Sequence, residues 1–154
     1  MGYRIERGSV MDKQDAVWHL LVAHRDELTT NKDLMVLAPD WPRYKLMEDA
    51  GMLITLFAYD DDDKIVGYSC NLVGQNLHYV DLRYAHNDVL YVDPDHRGRL
   101  GLKLIRETEK AAAEAGARMM IWHAKEHTPL KAIMPRLGYR VQDTLYSKEL
   151  QNGI

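Results

Sequence analysis

Residues 91–116 read YVDPDHRGRLGLKLIRETEKAAAEAG, and this stretch sets the fold. The apolar residues Val89, Leu90, Tyr91 and Val92 read as the end of a strand. Pro94 fixes its own φ and biases Asp93 away from helix, so the strand ends there. From Leu100 onward comes a long run of helical pattern, with Leu100, Leu104, Ile105, Thr108, Ala111, Ala112 and Ala115 recurring at i, i+3, i+4 spacing. That spacing predicts a helix with one narrow, small-residue face laid on something flat, and Gly116 supplies its stop. A strand running through a basic, glycine-containing loop into a helix N-terminus is suited to an anion. Backbone N–H groups lack helical partners there, the dipole is positive, and Arg97 and Arg99 stand nearby.

Working outward, residues 3–7 alternate apolar and charged side chains and predict a short strand. Residues 11–28 carry Ala16, Val17, Leu20, Leu21 and His24 at helical spacing. A second helix is predicted over residues 42–50, with Pro42 in its first turn and Gly51 at its end. Residues 52–59 (MLITLFAY) and 64–72 are β-prone runs on either side of Asp60-Asp61-Asp62-Asp63. That acidic run lacks the glycine and distal glutamate of an EF-hand calcium loop, so it reads as a solvated hairpin turn. Residues 74–83 have strand character around residues 77–82 and read as lining a rim or edge. Residues 84–87 then enter the central strand, residues 88–92, and read either as an incidental loop or as a wall facing a substrate.

Downstream of the central helix, residues 117–124 (ARMMIWHA) form a nearly continuous apolar run, as in a strand covered on both faces. Residues 127–137 predict a short helix distorted by Pro135 and ended by Gly138. Residues 139–150 read as a final strand. The predicted order is β-α-α-β-β-β-α-β-α-β, a mixed α/β fold with helices covering both faces of a sheet.

With 154 residues the chain suits one domain, residues 1–154, able to bury about two-thirds of its unfolded surface. A net charge of −3 provides no basic footprint for nucleic acid. The single cysteine, Cys70, excludes an internal disulfide framework and a thiolate-cluster metal site, and reads as a small buried residue. No apolar run approaches the roughly 18 residues of a membrane span, and the N-terminus carries no signal-peptide core. These features point to a cytoplasmic chain without metal or membrane partner; association as a homodimer stays open.

The segment Val92-Asp93-Pro94-Asp95-His96-Arg97-Gly98 resembles the signature loop of the GNAT superfamily of N-acetyltransferases, a V-x-P-x-x-R-G-x-G-x-G run that holds the pyrophosphate of acetyl-coenzyme A. In an ungapped register the two later glycine positions are Leu100 and Leu102. In a register one residue shorter, His96 takes the arginine position, Arg99 the first glycine position, and Gly101 keeps the second. The shorter register is preferred because it leaves Gly101 at the helix start and Leu104 and Ile105 on the buried face. A second motif of the family, N-x-x-A-x-x-x-Y-x-x-x-G-F, matches at Leu137-Gly138-Tyr139. There Ala132 lies near the alanine, His127 stands in the asparagine position, and Met134 in that of the tyrosine that often protonates the leaving thiolate.

The resemblance implies an N-acetyltransferase using acetyl-CoA as cosubstrate, with a primary amine as acceptor: a small polyamine or amino compound, or a protein lysine. It implies coenzyme contacts at Leu90, Tyr91, Val92, Arg97, Gly98, Arg99, Leu100, Gly101, Leu102, His127 and Lys131. Acyl transfer to an amine needs a proton acceptor, a polarised thioester carbonyl and a fate for the thiolate. A backbone N–H near Tyr91 and Val92 can polarise the carbonyl. His86 and Asp88, just upstream of the loop, are the candidate bases, and Tyr139 is a candidate acid. Histidine suits proton abstraction near pH 7. His123, on the next predicted strand, reads as a packed residue. The missing glycines and tyrosine keep a second reading open, a catalytically weak or inactive binding module of the same fold.

Overall fold

In a computed structural model, residues 2–151 are described. They fall into two compact units, one ending at His123 and the other beginning at Ala124. Met1 and residues 152–154 of the anticipated 1–154 domain lie outside the described residues.

The first unit is built on a five-stranded sheet of β1 (Arg4–Gly8), β2 (Leu53–Tyr59), β3 (Ile65–Gln75), β4 (Arg83–Val92) and β5 (Met119–Ile121). Their order in the sheet is their order in sequence. The first four are antiparallel neighbours, and β5 joins β4 in parallel. A parallel pair needs a crossover, here α3 (Arg99–Glu114). β2 is buried at every residue, as its unbroken apolar run predicts.

Both faces of the sheet are covered. Leu100, Leu104, Ala111 and Ala112 of α3 pack with Ile54, Leu56, Val66, Val73, Ala85 and Val92 on one face. Val17 and Leu20 of α1 (Gln14–Leu28) pack with Phe57, Tyr59, Tyr68 and Tyr91 on the other. Each fully buried leucine contributes about 1.5–3 kcal/mol. The short helix α2 (Trp41–Asp49) is capped by Asp40, whose side chain accepts from the Arg43 N–H, and carries a proline in its first turn. Glu48 ties it to the start of the chain, accepting from Ser9 Oγ at 2.6 Å and the Val10 N–H at 2.7 Å.

The aspartate run forms the β2–β3 turn. Asp60 Oδ1 accepts from the N–H groups of Asp62 and Lys64, each at 2.9 Å, and Asp63 takes a positive φ of 59°. Residues 76–82 close the β3–β4 connection as a loop, where the sequence suggested strand. Asn76 Oδ1 caps that loop by accepting from the N–H groups of His78 and Tyr79. No helix among the described residues is long and apolar enough to cross a membrane.

The second unit holds α4 (Leu130–Ile133) and a 3-10 turn over Met134–Leu137, with Gly138 left-handed at φ 88°. The distortion anticipated at Pro135 is this change of helical type. The predicted final strand is a correction: residues 139–151 carry no strand, and Val141, Leu145, Tyr146 and Leu150 are exposed. β-branched and aromatic residues favour a strand through cross-strand packing rather than intrinsic backbone preference. No ladder reaches these residues, so their composition does not become a strand. For the same reason the strand anticipated over residues 117–124 shortens to Met119–Ile121.

Candidate active site

The central strand carries a bulge. Cys70 pairs with Val89 but Asn71 with Asn87, so Asp88 is an extra residue on β4. The alternation of faces slips there. Ala85 packs on the α3 side with Leu90 and Val92, whereas Val89 and Tyr91 pack on the α1 side. Asp88 is pushed out of the ladder and exposed. Beneath it lies a buried polar network. Asn87 Nδ2 donates to Val89 O and Asn71 Oδ1, both at 2.9 Å, and Asn71 Nδ2 donates to Ser69 Oγ at 2.8 Å. Ser69 Oγ is 2.9 Å from Thr108 Oγ1 of α3.

β4 and β5 part company at the same place. Their ladder covers only Tyr84, Ala85 and His86 against Met119, Met120 and Ile121. Parallel strands joined by a crossover helix ordinarily pair along their length; here no ladder among the described residues continues along the rest of β4, through Val92, on that side. His86 stands where they separate, half-buried, its ring centroid 5.5 Å from that of His123 and stacked on Tyr84 at 6.4 Å. Burial, and then the neighbouring His123, hold the His86 pKa below the ordinary histidine value, while Asp88 opposes them. That direction favours the neutral imidazole near pH 7.

The loop after β4 opens with a 3-10 turn, Pro94–His96, capped by Asp93. Gly98 is the N-cap of α3, with φ 109° and ψ −120°, a conformation that side chains rarely adopt. An added Cβ at Gly98 or Gly101 would meet nothing within 4 Å. Leu100, Leu104 and Ile105 are buried, a pattern that both registers of the loop allow. Leu100 therefore presents only backbone to the outer side, while Leu102 is half-buried and Arg99 exposed.

The Arg97 guanidinium is committed. It donates to Glu27 Oε1 at 2.7 Å and Oε2 at 2.5 Å, and its Nε to the Val92 carbonyl at 2.9 Å. This fork holds Glu27 below the usual carboxylate range and fastens the loop to the end of α1. What Arg97 offers an anion is chiefly its backbone.

The structure thus brings together His86, Asp88, Leu90, Tyr91, Val92 and residues 97–102 in the first unit. His127, Lys131 and Tyr139 belong to the second. There His127 is exposed, Lys131 pairs with Glu126 at 2.5 Å, and Tyr139 donates its N–H to the Met134 carbonyl at 3.1 Å. Sequence reasoning missed Asn87, Glu27 and an apolar cavity between α1, α2 and the sheet. Asn87 left one signal, an amide in mid-strand where asparagine is disfavoured. Glu27 left none.

The model of the acetyltransferase (GNAT) family matches residues 18–139. The chain belongs to this acetyltransferase family, whose members are acyl-CoA-dependent N-acyltransferases. No curated protein matches the sequence at a significant level. Among solved structures, the fold is similar to that of a ribosomal-protein-alanine N-acetyltransferase from Brucella melitensis biovar Abortus 2308. That pair has a TM-score of 0.74 and 17% identity over 97% of this chain and 100% of the other. An aminoglycoside acetyltransferase from an uncultured soil metagenomic sample gives a TM-score of 0.78 and 17% identity, over 98% of this chain and 100% of that one. A second soil aminoglycoside acetyltransferase, solved with sisomicin, gives 0.73 and 19% over 97% of each chain.

Proposed function

We propose that the protein transfers the acetyl group of acetyl-CoA to a primary amine, with the cytoplasm, which supplies acetyl-CoA, as its compartment. One observation carries this reading: β4 leaves its parallel neighbour after His86, just upstream of a helix N-terminus stripped of side chains at Gly98 and Gly101. A glycine inside a helix costs about 0.5–1 kcal/mol relative to alanine. Gly101 has no packing reason to be glycine, since an added Cβ meets nothing. Close approach of a ligand to the backbone is a reason.

The bound thioester supplies an activated acetyl group. The chain's own residues do the rest. Backbone N–H groups of residues 98–102 and the positive end of α3 hold the pyrophosphate. β4 directs backbone donors toward the unpaired edge, where they polarise the thioester carbonyl. His86 accepts the amine proton as nitrogen bonds to the acetyl carbon and the carbon–sulfur bond breaks. Asp88 attracts the cationic amine before it is deprotonated. The thiolate leaves and takes its proton from water.

The acceptor names attached to structures of similar fold, a ribosomal-protein alanine and aminoglycosides, support an amine nucleophile. A thermal-shift assay with acetyl-CoA, paired with thiol release in the presence of amines, tests the reading. Ligand at about 100 times its dissociation constant adds about 2.7 kcal/mol, a rise of several degrees in Tm. No rise and no thiol release would leave the binding-module alternative standing.

A further inference from the structure

Resting on the reading above, we infer that Tyr3, the residue just before β1, is a positioning residue for acetyl-CoA. It holds residues 97–102 in the shape that the coenzyme's phosphates meet.

Tyr3 grips the start of α3 at two points. Its hydroxyl lies 3.0 Å from His96 Nδ1, a hydrogen bond whichever of the two carries the proton. The two rings meet edge to face, with centroids 5.8 Å apart and planes at 85°. At the second point the Tyr3 carbonyl accepts from Lys103 Nζ at 2.8 Å. His96 ends the 3-10 turn before Gly98, and Lys103 lies about one turn into α3. The contacts therefore bracket residues 97–102, the stretch whose backbone N–H groups are the proposed phosphate ligands. Tyr3 is half-buried and packed against the cluster that contains Leu100 and Leu104, so the grip is anchored in the core.

The bracketed stretch needs such a grip. Glycine has the freest backbone of any residue, and no neighbour lies within 4 Å of where a Cβ would sit at Gly98 or Gly101. An anion site made of backbone N–H groups works while those groups converge, and ordering them at the moment of binding subtracts from affinity. Their arrangement is therefore set from the flanks. On the α1 side of the sheet the fork between Arg97 and Glu27 does this. On the α3 side it is done by Tyr3.

Topology separates this role from the chemical step. In the sheet order β1-β2-β3-β4-β5, the strand that Tyr3 leads into is the edge opposite β5. The acyl group is transferred where β4 leaves β5, so the contribution of Tyr3 falls on coenzyme binding and leaves turnover of the bound coenzyme alone.

The test is acetyl-CoA titration calorimetry with steady-state kinetics on Tyr3→Phe, His96→Ala, His96→Asn and the double variant Tyr3→Phe/His96→Ala, with Tm measured without coenzyme. Tyr3→Phe keeps the ring and the carbonyl and removes the hydroxyl alone. Its dissociation constant should rise about threefold to tenfold, the worth of one hydrogen bond, and KM for acetyl-CoA should rise with it while kcat holds. His96→Ala should lose at least as much, and the double variant no more than His96→Ala, because both changes break the same contact. His96→Asn, whose amide can stand in for Nδ1, should recover most of the affinity. Parent-like affinity in Tyr3→Phe, with or without a lower Tm, overturns the inference and leaves the acetyltransferase reading intact. Losses that multiply in the double variant, or an asparagine variant as weak as the alanine one, overturn it equally. A parent protein that does not bind acetyl-CoA overturns both.

Discussion

Asn87 Nδ2 donates to the carbonyl of Val89 at 2.9 Å, and that bond arches over Asp88. The amide replaces the ladder partner that the bulge removes. It holds the strand bent at the point where β4 leaves β5, so the geometry of the candidate site rests on a buried side chain.

Asn87→Ala should therefore cost both stability and rate. Asn71 Oδ1 and the Val89 carbonyl would lose a buried donor, at about 1–3 kcal/mol. Urea titration should show a lower midpoint with an unchanged m-value, and kcat should fall even where the coenzyme thermal shift is retained.

Replacing Leu104 by alanine probes the other end of the same support. Leu104 is fully buried on the face that α3 lays on the sheet. A large-to-small change there costs about 2–5 kcal/mol, readable as a drop in the urea midpoint.

Periodicity along one helix is local information, which is why Leu100, Leu104, Ile105 and Ala111 could be placed on the buried face from the sequence. The loop at Pro94 and the stop at Gly138 were legible for the same reason. The bulge was not, because it depends on how Cys70 and Asn71 meet β4. Arg97 suggested an anion contact by its neighbours, yet its guanidinium is held by Glu27, 70 residues away. The apolar and aromatic residues at 141, 145, 146 and 150 suggested a strand that has no ladder to join. Composition reports what a residue can do; the partner that decides it lies elsewhere in the chain.

The pH profile should carry the signature of His86. Its folded pKa lies below the ordinary value near 6.5, so the acid limb of kcat should lie below that of an unperturbed histidine. Removing Asp88, which raises the His86 pKa, should move the limb lower still; removing His123, which lowers it, should move the limb up. His86→Gln should reduce kcat by about 10²–10⁴ with coenzyme affinity nearly unchanged. Parent-like kcat in that variant across pH 6–9 would mean that His86 is not the base.

The same shift acts on stability. The unfolded chain takes up a proton near pH 6.5 while folded His86 resists it. Stability thus falls as pH drops through about 6.5 and the loss levels off below the folded pKa. Lowering the pH from 7 to 5 should lower the parent's urea midpoint by more than it lowers that of His86→Gln.

Asp88→Asn keeps the shape of the bulge and removes its charge. KM for the amine should rise about tenfold while the acetyl-CoA dissociation constant holds, since the proposed part of the carboxylate is to attract the amine. A variant whose KM is unchanged would detach Asp88 from amine capture.

The most direct measurement is acetyl-CoA titration calorimetry on Gly101→Leu beside Arg97→Ala. An added Cβ at Gly101 meets nothing within 4 Å, and leucine is the better helix former by up to about 1 kcal/mol, so Gly101→Leu should melt at or above the parent's Tm. Coenzyme affinity should nevertheless fall by about tenfold or more, while Arg97→Ala, whose guanidinium serves Glu27 and Val92, loses less affinity than Gly101→Leu. Parent-like acetyl-CoA binding by Gly101→Leu would contradict the coenzyme site at the start of α3.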